Sequence, residues 1–373
     1  MQKLKVMFIS AANSIHTVRW VNSLSKKFEI HLVYCRNHKP NIDNISSNVI
    51  LHELKFNAPY GYYLNAIQLR NLYKKIKPNI INVHYASGYG TLVRIAKIKP
   101  VLLSVWGSDV YDFPCESKLK KKILQKNVMY ADEIASTSNV MAKELTKQVP
   151  MLKKSINITP FGIDIEKFKK YKQKNNNNVF IVGNVKTLKS VYGIEYGILA
   201  VKLLKNKLLN EGKKDLAQNM QFHIYGDGEE KEKLEELIKK EQLQDCVFLK
   251  GKIPNNEVPN VLNNIDVFCV TSNKESFGVA LLEAMACEVP VVATNADGFS
   301  EVMIDGKTGY IVEKKNVEQI AEALEKILKD KEQRNQFGKN GRKRVIENYN
   351  WEDNVKKMEE IYMRMEKNKW TML

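Results

Sequence analysis

No stretch of this 373-residue chain is apolar for the roughly 20 residues that a membrane-spanning helix requires. The opening MQKLKVMFIS holds too short an apolar run for a signal peptide and reads as a first buried strand. Cysteine is scarce as well. Cys35, Cys115, Cys246, Cys269 and Cys287 are scattered and odd in number, with no CxxC pair. That argues against a disulfide framework or a zinc site, and for reduced thiols in a cytosolic protein. FISAANSIHT, after the first strand, lacks the GxGxxG that a dinucleotide-dependent dehydrogenase needs, and GDGEEKEK matches it poorly. Acidic residues are sparse in one half only. Residues 1–178 hold 11 Asp and Glu against 29 Lys and Arg, whereas residues 179–373 hold 31 against 30. The excess positive charge therefore belongs to the first half. An anionic partner, nucleic acid or a membrane surface, would suit it; a merely basic, solvated surface is the plainer alternative. RNP-like aromatics, zinc-finger spacing and a clear helix-turn-helix signal are also missing, so a non-enzymatic nucleic-acid-binding protein has only the charge in its favour.

What is present is alternation. KVMFIS (5–10), EIHLVY (29–34), IINVHY (80–85), VLLSVW (101–106), EIASTS (133–138) and INITPF (156–161) read as strands, with helical stretches near 14–27, 62–77, 88–97, 117–130 and 139–148. EKFKKYKQKNNNN (166–178), polar and repetitive, reads as a linker. The pattern then restarts with strands at 178–185, 220–226, 247–251, 266–271, 290–294 and 309–312. Short apolar strands separated by helices imply a parallel sheet covered on both faces. The expected fold class is α/β: two Rossmann-like, doubly wound domains, 1–165 and 179–350, facing each other across a cleft. Residues 351–373, with Val355, Met358, Ile361, Tyr362 and Met365 at helical spacing, are expected to form a helix packing back on the first domain. Ligands of such sheets bind beyond the carboxyl ends of the strands.

Within ESFGVALLEAMACEVPVV (275–292), Glu275 precedes an apolar run and Glu283 lies inside it. Ser276 is a candidate N-cap, and Gly278 allows a ligand close to the backbone. A helix starting there aims free N–H groups at an anion, and a diphosphate suits that position. Glu283 would lie roughly 8–10 Å along the axis, so the two carboxylates could accept hydrogen bonds from sugar hydroxyls at either end of a nucleotide sugar. Alternatively, Glu283 pairs within a packed helix and Glu275 is a solvated turn residue.

Around this motif stand, in order, NITPFGID (157–164), IVGNVKTLK (181–189), HIYGDGEEKEKLEEL (223–237), VFLKGKIPNNEV (247–258) and PVVATNADGFSEVMIDGKTGYIV (290–312). In the first half, NSIHTVRWVNSL (13–24), INVHYASGYGT (81–91) and SVWGSDVYDFP (104–114) look like a subgroup building bacterial surface polysaccharides. Taken together, the chain resembles family 4 of the retaining glycosyltransferases, which have the GT-B fold, with Glu275 and Glu283 as its Glu-x7-Glu motif. The resemblance implies a donor-binding second domain and an acceptor-binding first domain. Glu275 would hold the donor sugar, Ser276, Phe277, Gly278 and Val279 would contact sugar and diphosphate, and Glu283 would bind the ribose. Lys186 and Lys189 would clamp the diphosphate, with no metal and no cofactor beyond the nucleotide-sugar donor. Same-face attack by the acceptor hydroxyl would retain anomeric configuration. UDP is favoured over GDP on family breadth.

Several positions depart from the family pattern. Asn184 replaces an arginine, Val191 stands where a lysine is frequent, and Trp106-Gly107 replaces a His-Gly dipeptide. Glu288 replaces a glycine, and Asp297 precedes Gly298 where a glycine pair is frequent; either change could reshape the sugar pocket. Asp109, in WGSD, is a candidate facing the cleft or else a turn aspartate. His16, in a first-strand loop without the usual glycines, could meet donor or acceptor. ESKLKKKILQKNVMYAD (116–132) carries Lys118, Lys121, Lys122 and Lys126 beside Leu119, Ile123, Leu124 and Val128. It could lie on an anionic membrane, or its apolar face could pack on its own sheet. The expected partners are a nucleotide-diphosphate sugar, a lipid-linked or glycan acceptor and the inner face of the membrane, not nucleic acid. A nucleotide-sugar 2-epimerase of the same architecture is the enzymatic alternative, though it lacks this Glu-x7-Glu context.

Overall fold

The computed structural model describes residues 3–171 and 179–371, with side chains through Asn368. The chain divides into two compact units, Met1–Phe161 with Glu352–Leu373, and Gly162–Trp351.

The first unit holds a seven-stranded, wholly parallel sheet. Its strands are β1 (Lys5–Ile9), β2 (Glu29–Cys35), β3 (Val49–Leu54), β4 (Ile80–His84), β5 (Val101–Val105), β6 (Glu133–Ser136) and β7 (Ile156–Ile158). The order is β3-β2-β1-β4-β5-β6-β7. Six of these strands match the apolar runs in the sequence. The seventh, β3, is an edge strand whose middle residues are partly exposed, so it carries no continuous apolar run. The expected helix over 62–77 is two pieces, Gly61–Leu64 and Ala66–Ile76. They break at Asn65, whose buried side chain exchanges hydrogen bonds with the backbone of Phe56. The last helix, Trp351–Thr371, supplies Val355, Met358, Ile361, Tyr362 and Met365 as buried side chains. Tyr362 packs edge-on against Phe28 at 5.4 Å between ring centroids. Its hydroxyl accepts the Asn82 amide at 2.6 Å, so a ring buried for its apolar surface does not leave its oxygen unsatisfied.

The second unit contains β8 (Phe180–Val185), β9 (Met220–Tyr225), β10 (Val247–Gly251), β11 (Val267–Val270), β12 (Val291–Thr294) and β13 (Gly309–Val312). All pairings are parallel and the order is β10-β9-β8-β11-β12-β13. In both sheets the order reverses direction between the first strand and the fourth, the place where doubly wound sheets bind ligands.

The unit boundary falls at Phe161 and Gly162 rather than in the expected linker. Ile163 bonds to the Tyr349 carbonyl and accepts from the Trp351 N–H, and the Arg342 guanidinium donates to the carbonyls of Ile165, Phe168 and Ala286. These bonds fold 162–171 into the second unit. The remainder of the expected linker, 172–178, lies outside the described residues.

Candidate active site

The two strands flanking the switch point of the second sheet are β8 and β11, and each ends in a loop carrying a candidate residue. Lys186 directly follows β8 and Glu275 lies five residues beyond β11. The Lys186 ammonium donates to Glu275 Oε2 at 2.5 Å, with side chains 16% and 12% exposed. The ammonium also lies 4.3 Å from the centroid of the Tyr192 ring, whose face attracts a cation. The Lys186 loop is clasped from the far side: Lys186 and Leu188 donate to the carbonyls of Tyr225 and Asp227. A Cβ at Gly226 would meet the Lys186 carbonyl oxygen at 1.9 Å, and one at Gly228 would meet that of Leu188 at 2.3 Å. Asn184, where the resemblance expects arginine, turns inward, 2% exposed, and donates to the Cys269 carbonyl at 2.8 Å. It ties β8 to β11. Lys189 is exposed.

The helix after the β11 loop is Val279–Ala286, and its N-cap is Gly278 at φ 99°, not Ser276. Glycine adopts that left-handed geometry without strain. Leu282 N–H to Gly278 C=O, 3.1 Å, is the first intrahelical bond, so the N–H groups of Val279, Ala280 and Leu281 have no intrahelical acceptor. Phe277 is buried and packs edge-on against Tyr349 at 5.8 Å. Gly298 donates to the Glu275 carbonyl at 3.0 Å. A Cβ on Gly298 would lie 2.4 Å from the Phe277 nitrogen, so the Glu275 to Phe277 backbone needs glycine there. Glu283, half-buried, is the fifth helical residue, about 6 Å along the axis from the first. Glu288 lies beyond the other end of this helix, about 13 Å from its start at 1.5 Å per residue. Its φ of 59° explains the glycine usual there, and its carboxylate pairs with Lys170 at 3.4 Å. It lies at the opposite end of this helix from Gly278, away from the N-terminal region that the sequence expectation had it reshape. Asp297 is exposed.

In the first unit the corresponding strands are β1 and β4. His16, the second residue of the helix Ile15–Leu24, stacks on Phe161 at 4.1 Å and meets Trp106 edge-on at 5.7 Å. Burial, then the Arg19 charge, lowers its pKa to about 4, so the imidazole is neutral at neutral pH. Behind Trp106, at 3.9 Å, lies His84, fully buried and held well below the ordinary histidine value by burial. Its Nδ1 is 3.3 Å from Ser10 Oγ. Tyr85, at φ 70°, occupies a left-handed conformation beside them. Asp109 departs from its expected catalytic placement. It is 1% exposed; Oδ2 accepts from Ala86 N–H at 2.7 Å, and Oδ1 from Trp106 and Gly107 N–H at 3.1 and 2.9 Å. Burial raises its pKa while these backbone bonds hold it down. The carboxylate is consumed in shaping the turn that carries Trp106.

Of the apolar residues expected on one side of the helix Lys118–Tyr130, Leu124 and Val128 are buried in the core of the first unit, Ile123 is half-buried and Leu119 is 68% exposed. Lys118, Lys121, Lys122 and Lys126 remain as a solvated face. Sequence reasoning did not pick out Tyr192, Gly226, Gly228, His84 or Tyr85. A glycine directly following a strand was the available signal for Gly226, and strand-end position for His84.

Two family descriptions match the chain: Glycosyl transferases group 1 over residues 164–344 and Glycosyl transferase 4-like over residues 5–138. The chain is 26% identical to the N-acetyl-alpha-D-glucosaminyl L-malate synthase of Bacillus anthracis, covering 86% of this chain and 85% of that one. It is 28% identical to the capsular polysaccharide biosynthesis glycosyltransferase CapM of Staphylococcus aureus, covering 78% of each. The fold is similar to that of Anabaena HepE, solved in complex with UDP and glucose, with TM-score 0.73 at 15% identity, covering 96% of this chain and 99% of HepE. Two parallel Rossmann-like sheets, a Glu-x7-Glu motif at the switch point of the second and family matches over both halves make this chain a member of family 4 of the glycosyltransferases, with the GT-B fold.

Proposed function

We propose that the protein is a retaining glycosyltransferase. It would move a hexosyl or N-acetylhexosaminyl group from a nucleotide-diphosphate sugar, UDP in preference to GDP, to a hydroxyl of a lipid-linked glycan. The product would be surface polysaccharide, capsule or lipopolysaccharide, made at the cytoplasmic face of the membrane. The observation that carries the donor side is the Lys186–Glu275 pair beside the Gly278 helix start. A diphosphate draws Lys186 away from the carboxylate, and Glu275 then accepts hydrogen bonds from the donor sugar. Glu283, on the same helix, accepts from the ribose. The negative charge that develops on the leaving diphosphate is met by Lys186, by Lys189 from the exposed loop and by the free N–H groups of the helix. The acceptor hydroxyl attacks from the face the diphosphate leaves, and a phosphate oxygen takes its proton, so Glu275 positions and stabilises without forming a bond. Capsule assembly, in the name of CapM, and UDP, bound in HepE, support the acceptor and donor classes.

The test is transfer from a panel of UDP- and GDP-sugars to lipid-linked and free glycan acceptors, with EDTA present and the product's anomeric configuration read by NMR. Retention with one UDP-sugar in EDTA is expected. Inversion, a requirement for metal, or stabilisation by NAD in place of nucleoside diphosphates would refute the reading.

A further inference from the structure

We propose that the side chains of Tyr60, Tyr63, Leu64 and Ile67, with the lysines behind them, form the face on which this protein rests on an anionic lipid surface. The inference deepens the membrane part of the proposed function and relocates it, since Leu124 and Val128 of the helix Lys118–Tyr130 are core and leave Leu119 as a single well-exposed apolar side chain among its lysines. Phe56, Tyr60, Tyr63, Leu64 and Ile67 are 40%, 77%, 54%, 57% and 72% exposed, five large apolar side chains within twelve residues. Soluble surfaces show such residues singly; clustered, they mark an interaction site.

The cluster is held outward by its own backbone. Asn65 is fully buried and bonds both the N–H and the carbonyl of Phe56. Gly61 donates to the Asn57 carbonyl at 2.6 Å and sits so close to Phe56 that a Cβ would meet its carbonyl oxygen at 2.4 Å. Tyr62 turns inward against Gly88 and Tyr89, leaving its neighbours outside.

Charge decides the occupant. Along the helix Ala66–Ile76, Asn71, Lys74 and Lys75 follow Ile67 at four, seven and eight residues on the same exposed face, Asn71 about 6 Å and the two lysines some 10–12 Å further along the axis. Lys77 ends the helix, and Lys55 lies over the Phe56 ring at 5.6 Å. Residues 54–108 contain eight Lys and Arg and no Asp or Glu. An apolar tip with tyrosines and a basic stem matches the lipid–water interface, where aromatic rings sit at headgroup level and lysines meet lipid phosphates. Leu64 and Ile67 offer a glycan no hydrogen bond and no ring face. A second copy, meeting the same patch about a twofold axis, would set these lysines against their own equivalents.

The experiment is flotation of the full chain with phosphatidylcholine vesicles, alone or with about one quarter phosphatidylglycerol. The wild type is compared with Leu64→Ser/Ile67→Ser and Lys74→Ala/Lys75→Ala; thermal melts and donor hydrolysis without vesicles control for folding. Wild type should float only with the anionic lipid. Each lysine near such a surface is worth about fivefold in partition, so the lysine pair should lose about 25-fold and the apolar pair at least as much, with melts and hydrolysis unchanged. Flotation that ignores phosphatidylglycerol, or that survives both double substitutions, overturns the proposal. So does a concentration-dependent dimer abolished by Leu64→Ser/Ile67→Ser without vesicle binding, which would assign the face to a second copy. Loss of flotation needs no glycosyl transfer, so this proposal can fail while the transferase reading stands, and the reverse.

Discussion

Replacing Gly298 by alanine adds one methyl group at a position that touches no substrate in the proposed reading, yet turnover should collapse. The added Cβ would lie 2.4 Å from the Phe277 nitrogen, 2.7 Å from the Ser276 carbonyl carbon and 2.8 Å from the Glu275 carbonyl oxygen, all backbone atoms. Ordinary contact begins near 3.4 Å, so the Glu275 to Phe277 segment must retreat by about 1 Å. No flexible side chain can absorb the strain, and the Gly298 N–H bond to the Glu275 carbonyl resists separation. Overpacking of this kind costs about 1–3 kcal/mol, several degrees in Tm for a unit of this size. The larger effect falls on Glu275, because a misplacement of about 1 Å at a positioning group costs on the order of a hundredfold in rate. Steady-state transfer kinetics with the donor varied, beside a thermal melt, read both quantities. A kcat/KM within about threefold of wild type, with the protein folded, would refute the claim that this backbone segment must stay in place.

Lys186→Met should weaken UDP binding by about 10- to 100-fold, the worth of one hydrogen bond to a charged group, measured by calorimetry; unchanged affinity would remove the lysine from the clamp. Asp109→Ala strands three buried N–H groups and should cost about 3–5 kcal/mol of stability in a denaturant titration. A stable but inactive variant would instead restore the catalytic role expected from sequence. For His16, the folded value of about 4 lies below the unfolded 6.5. Its contribution is therefore full above pH 6.5 and is lost as pH falls toward 4, by at most about 3 kcal/mol. His16→Gln should flatten the acid limb of a Tm–pH curve, and an unaltered limb would contradict the burial argument.

The strands of both sheets were legible because buried parallel strands are short apolar runs, and β3 escaped because an edge strand is not. The helix start was misjudged at Ser276. A serine often caps, but here the chain turns at Gly278 in a conformation only glycine enjoys. Glu288 had to be placed by the length of the helix: beyond an eight-residue helix it faces away from the helix N-terminus. Asp109 read as chemistry because an aspartate in the first turn of a short helix gives no sign of how many backbone donors surround it. The pairing of Lys186 with Glu275, 89 residues apart, follows from the order of β8 and β11 in the sheet, which local pattern does not encode. Glu275 stood out from its place before an apolar run, the family resemblance supplied the two lysines, and the geometry selected Lys186 over Lys189 as the partner of the carboxylate. Tyr192 and Gly298 act through contacts that only the folded chain displays.

The most direct measurement is the effect of Glu275→Gln on donor binding and turnover, taken separately. The substitution keeps size and hydrogen-bonding reach while removing the charge paired with Lys186. A group that positions the donor sugar in the transition state should lower kcat by about a hundredfold or more, with the dissociation constant for UDP within about threefold of wild type. Near-normal turnover, or a loss of UDP affinity that accounts for the whole effect, would contradict it.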